Sequence, residues 1–231
     1  MISDVVSSQQ IIEPIRKRKS LIEQEEFYPR WIEHPSSCII HHERECCEEA
    51  RLWFLAYARS MEGGMATQYR MRPPSWLSQL FEWGPSVWPI SWCQVVKEKT
   101  IDCGVFAVLA REVFAAQGFE AHPAQALLSY NQNCTDHWKD LWINGMKKID
   151  KRKRGEVFPW VGSHVVYHEI CLIETKNGDA QIYDSTFGHW LESNKREGFA
   201  GLIAVKSECP RLLRWGDKTL CCGEWVNLCI D

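Results

Sequence analysis

Val165-Val166-Tyr167-His168-Glu169-Ile170-Cys171-Leu172-Ile173-Glu174 and, across Thr175-Lys176-Asn177-Gly178, Asp179-Ala180-Gln181-Ile182-Tyr183-Asp184 decide how this chain folds. Both stretches are β-branched or alternating, and Asn177-Gly178 between them is a strong short turn signal. They read as the two strands of a hairpin. Gly201 to Val205 reads as a further short strand. Upstream the period changes. Val105, Phe106, Leu109, Val113 and Phe114 recur at helical spacing, which predicts a helix from about Gly104 to Gln117, closed by Gly118. An earlier helix is predicted over His41 to Met61, where Gly63-Gly64 stops it. Helices first and strands afterwards predict an α+β fold with an antiparallel sheet.

The remaining segments are connections. Residues 71–92 hold Pro73-Pro74, Pro85 and Pro89 with Trp76, Trp83, Trp88 and Trp92, an aromatic, proline-punctuated loop with at most one short helix. Residues 119–146 read as mixed, and Lys147 to Arg154 as a basic loop. Residues 1–35 are polar and charge-segregated, a tail or docked segment ahead of a single domain over 36–231.

Composition narrows the function classes. A chain of 231 residues that is 45% apolar buries one substantial core. A net charge of -3 gives no reason to expect nucleic acid or an acidic membrane as partner. The longest apolar run, Leu52 to Ala58, falls far short of the roughly 20 residues of a membrane span. No apolar region follows a basic start, so a cytoplasmic protein is expected. The 11 cysteines are an odd number, which one chain cannot fully pair. Free thiols in a reducing compartment are therefore expected. No phosphate-binding glycine loop or dinucleotide fingerprint occurs, and no cofactor is expected.

One cysteine stands out. Cys103, in Thr100-Ile101-Asp102-Cys103-Gly104, immediately precedes the amphipathic helix. Unpaired backbone N–H groups and the positive end of the helix dipole stabilise a thiolate there, and the thiolate is the attacking species. Such a nucleophile needs a base and an orienting group. His168 lies on the first strand of the hairpin and Asp184 ends the second, so antiparallel pairing brings them side by side. His164, in Gly162-Ser163-His164, is a rival base. Taken singly, Cys103 reads as a small core residue, His168 as a strand histidine and Asp184 as a turn cap.

Asp102-Cys103-Gly104 with its helix, His168 on a strand and Tyr183-Asp184-Ser185-Thr186 ending the next resemble the transglutaminase-like superfamily, within the broad papain-like group of Cys-His-Asp enzymes. The resemblance covers roughly residues 90–190. It implies the nucleophile at the start of a central helix packed on an antiparallel sheet, and acyl transfer through a cysteine thioester. Cys103 then matches the nucleophile, His168 the base and Asp184 the orienting acid. Tyr183 to Gly188 is also similar to the Asp-containing strand end of the arylamine N-acetyltransferases, although the Arg-Gly-Gly-x-Cys signature of that family is missing. The distance from Cys103 to His168 calls for an insertion around 120–160. The papain-like pattern of an upstream Gln suggests Gln94 as an oxyanion donor beside the Cys103 N–H, with Trp92 as the other candidate. Trp83, Trp88 and Trp92 are candidates to wall a dry acyl pocket or to be core aromatics.

Other signals point elsewhere. Cys38, His41, His42, Cys46 and Cys47, with Cys221, Cys222 and Cys229, only imperfectly match zinc-ligand spacing, so no metal is expected. The basic run 147–154 reads as a solvated loop, with an acyl carrier protein as the partner it would otherwise steer. The function expected is a cysteine acyltransferase that passes an acyl group from a small-molecule, peptide or carrier-bound donor to an amine. Hydrolysis by the same triad, N-acylation from acyl-CoA or a carrier thioester, and a non-catalytic binding module are the alternatives.

Overall fold

The computed structural model describes residues 39–40, 45–61, 71–86, 90–129, 136–137, 140–145, 165–192, 199–205, 212–221 and 225–227. The sequence readings for residues 1–35, Cys38, His41, His42, Trp88, residues 147–154, His164, Cys222 and Cys229 lie outside the described residues. In chain order the elements are β1 (Ile39–Ile40), α1 (Glu45–Met61), α2 (Leu77–Leu80), β2 (Glu82–Trp83), β3 (Ile90–Ser91), α3 (Trp92–Val95), β4 (Thr100–Ile101) and α4 (Cys103–Ala116). There follow β5 (Glu120–Ser129), β6 (Val165–Glu174), β7 (Ala180–Asp184), β8 (His189–Leu191), β9 (Phe199–Val205), β10 (Leu213–Trp215), β11 (Lys218–Leu220) and β12 (Trp225–Asn227). The chain is α+β. Among the described residues no helix is long and apolar enough to cross a membrane.

A six-stranded sheet in the order β12-β9-β5-β6-β7-β8, antiparallel throughout, forms the frame. The β6–β7 hairpin turns at Gly178, whose φ of 73° is the left-handed conformation that glycine adopts without strain. Thr175 and Asp179 close that turn, the Thr175 N–H donating to the Asp179 carbonyl at 2.8 Å.

Glu120–Ser129 corrects the sequence reading, which places it in a mixed segment and an insertion. It is β5, a central strand that pairs over its full length with β6. Its sequence, Glu-Ala-His-Pro-Ala-Gln-Ala, is poor in branched residues and carries a proline, both marks of a non-strand. Pro123 pairs with Cys171 of β6, and β9 meets β5 from the next residue on, at the Ala124–Val205 rung. The segment 71–92 also holds more order than expected, with α2 and β2 between its prolines and β3 and the start of α3 directly after Pro89.

Both faces of the sheet are covered. On one, α1, α3 and α4 bury Phe54, Trp92, Val105, Phe106, Leu109 and Phe114 against Ala121, Cys171, Ile173 and Tyr183. On the other, the β10–β11 hairpin lays Leu213, Trp215 and Leu220 over Ala124, Ala126, Ile170, Leu172, Ala180 and Ile182. This accounts for the unbroken run Ile170-Cys171-Leu172-Ile173, every member of which is fully buried. A strand with apolar cover on both sides has no solvent face on which polar residues would alternate.

Candidate active site

The site begins with the start of α4. Asp102 is its N-cap: the backbone there is extended, and the carboxylate accepts the Val105 N–H at 3.0 Å. Ser86 donates its hydroxyl to the other Asp102 oxygen, tying the loop before β3 to the helix start. With the Val105 N–H held by the Asp102 side chain and the Phe106 N–H by the Asp102 carbonyl, the N–H groups of Cys103 and Gly104 are the two without an acceptor inside the helix. They belong to the nucleophile candidate itself and to the residue after it.

His168 is the fourth residue of β6 and Asp184 the last of β7. The register pairs Tyr183 with Cys171, so Asp184 continues towards the His168 end of β6. There Nε2 of His168 lies 3.0 Å from Oδ2 of Asp184. Oδ1 of Asp184 accepts the N–H groups of Thr186 at 3.0 Å and Phe187 at 3.2 Å, which fixes the carboxylate in the turn after β7. The Phe187 ring packs against the imidazole, with centroids 5.9 Å apart. Cys103, His168 and Asp184 are 8%, 5% and 2% exposed, which makes this a dry site.

Electrostatics follow from that burial. Burial pushes the Cys103 thiol up, the hydrogen bond and charge of His168 pull it back, and the net direction is up. The charges of Asp102 and Glu169 add to the rise. Burial pulls the His168 imidazole down, but the Asp184 charge and hydrogen bond, with the contact to Cys103, outweigh it and leave His168 at about 10. Burial alone would push Asp184 up; the charge and hydrogen bond of His168, with His189 and the Phe187 N–H, hold it below the ordinary carboxylate value. The balance favours the protonated imidazole, whose Nε2 is the nitrogen that meets Asp184.

The structure therefore brings Cys103, His168 and Asp184 together. It gives the two oxyanion candidates other work. Gln94 closes a capping box on α3, its side-chain oxygen accepting the Ser91 N–H at 3.0 Å and the Ser91 hydroxyl at 2.9 Å. Trp92 is buried against Phe54, ring centroids 5.6 Å apart, in the main core. Trp76 joins the same cluster, and Trp83 packs on Trp142. Sequence reasoning did not find Ser86, Asp102 or Phe187. Asp102 had a signal, since an Asp directly before an amphipathic run marks a cap. Ser86 and Phe187 reach the site only through tertiary contacts. The rung beside His168 pairs Gln125 with Glu169, two more buried polar residues.

A scan against protein-family models finds no match, and neither a search of curated proteins nor one of solved structures returns a similar protein.

Proposed function

We propose that the chain is a cysteine-dependent acyltransferase of papain- and transglutaminase-like design, in which Cys103 forms a thioester with the acyl group. The observation that carries this reading is the buried His168–Asp184 pair, 3.0 Å apart, with the Cys103 thiol at a helix start in hydrogen-bond contact with the same imidazole. An acid, an oriented imidazole and a sulfur in that order are what nucleophilic acyl transfer requires.

The Cys103 thiolate attacks the carbonyl of an amide or thioester. The N–H groups of Cys103 and Gly104 receive the oxyanion, and His168 gives its proton to the departing amine or thiol as the tetrahedral intermediate collapses. The neutral imidazole then takes a proton from an incoming amine, which attacks the thioester, forms the amide and releases Cys103. Asp184 holds the imidazole in one orientation through both halves. The burial of all three side chains supports an amine over water as acceptor, because hydrolysis competes only where water reaches the thioester.

Intact-mass measurement tests the proposal. The full chain, incubated with glutamine-containing peptides and with short acyl-CoA thioesters, gains an acyl adduct that Cys103→Ala does not form. An amine then releases it as an amide. A chain that acquires no adduct from either donor class, or acquires it equally in Cys103→Ala, overturns the reading. An adduct released only as the free acid makes the protein a hydrolase.

A further inference from the structure

A second group of sulfurs lies away from Cys103. Cys46 and Cys47 sit in the first turn of α1, Cys93 is the second residue of α3, and the two helices pack together. The three Sγ atoms all lie within 4.8 Å of one another, and those of Cys47 and Cys93 are 3.2 Å apart. We propose that Cys46, Cys47 and Cys93 form a thiolate site for a soft divalent metal ion of the zinc class.

The spacing suits one shared ion. Zn–S bonds of about 2.3 Å in a tetrahedral arrangement hold sulfurs about 3.8 Å apart, inside the span this group occupies. Three thiolates select zinc-class or copper(I) ions over magnesium or calcium, which prefer oxygen. Packing explains Cys47, which is fully buried, and Cys93, which rests against the core. It does not explain Cys46, which is exposed and gains nothing from apolar burial. Each thiol loses its proton as its sulfur bonds the ion. The bound ion would cross-link the N-terminus of α1 to α3, the short helix that carries Trp92 and Gln94. Sequence spacing hid the site because Cys93 lies far along the chain from Cys46-Cys47, outside any paired-cysteine motif. Cys221, which the sequence grouped with them, is not part of this set.

Cobalt(II) and zinc(II) are the probes. The full chain, purified under reducing conditions and loaded with cobalt(II), should show thiolate-to-cobalt charge-transfer absorption at about one ion per chain, displaced by zinc. Cys46→Ser, at an exposed position that leaves the core intact, should weaken binding at least about tenfold, and Cys93→Ser should do the same. Cys221→Ser should bind as the wild type does. Absence of the charge-transfer band in the reduced wild type overturns the proposal, as does full binding in a Cys46→Ser/Cys93→Ser double variant. A Cys47–Cys93 disulfide in the purified chain under the same reductant, seen as a mass lower by two hydrogens, overturns it as well. None of these readouts depends on acyl transfer at Cys103.

Discussion

At the residue scale Asp184 divides its two oxygens between tasks. Oδ1 holds the turn through Thr186 and Phe187, and Oδ2 holds His168. The turn contacts and the histidine contact thus fall on separate oxygens of one carboxylate. Asp184→Asn retains an oxygen for the turn and removes the charge. Acyl-enzyme formation should then fall on the order of 10³–10⁴-fold with the fold preserved, as measured by stopped-flow or quenched mass analysis. The pH dependence of stability carries a definite sign. His168 is raised from 6.5 to about 10 on folding, so its contribution is complete below pH 6.5 and is lost as pH rises through about 10. Asp184 is lowered from 3.8, so its contribution is present above that value and lost below its folded value. The melting temperature of the wild type should therefore fall between pH 6.5 and about 10, and that slope should flatten in Asp184→Asn. The rate of acylation should move the other way. The Cys103 thiol lies above 9.0, so formation of the thioester should still be climbing as pH approaches that value.

At the element scale α4 depends on its cap. Asp102→Ala removes the acceptor for the Val105 N–H and for the Ser86 hydroxyl. It should cost about 0.5–2 kcal/mol, or roughly 1–8 °C in Tm for a chain of this size, whereas Asp102→Asn should retain most of the cap. Thermal denaturation of the two variants compares them directly. The elements differ in how far the sequence discloses them. The helix α4 and the strands β6 and β7 are readable because their apolar residues repeat at 3.6 or fill a short β-branched run, and because Gly118 and Asn177-Gly178 mark their ends. The proximity of His168 to Asp184 follows from that hairpin. The strand β5 is not readable: its alanines and Pro123 carry no strand preference, and only the neighbours β6 and β9 make it one. Gln94 carries a local signal as well, since a glutamine three residues after a serine also marks a capping box, and its side-chain oxygen makes that bond.

For the whole molecule the sheet needs cover on both faces. The β10–β11 hairpin supplies one of them, with Trp215 3% exposed over the alanines of β5. Trp215→Ala should cost about 3–5 kcal/mol by urea denaturation, while Leu212→Ala should stay within about 0.5 kcal/mol. Leu212 precedes the same hairpin but is 66% exposed. On the opposite side Arg51 of α1 reaches Glu112 of α4 through two nitrogens, at 2.9 and 2.8 Å, and fastens the helical layer together. The position of β5 in the strand order has a kinetic consequence. Both of its partners are made after it, and the farther one, β9, ends only at Val205. The helix bearing Cys103 closes by local contacts, but β5 beside it must wait for segments much later in the chain, and long loops close slowly. Synthesis thus yields Cys103 before His168, and both before the β9 strand that completes the ladder. During refolding, Cys103 should remain open to alkylation until the non-local ladder zips, so the final slow phase of folding and the burial of Cys103 beside His168 should be one event.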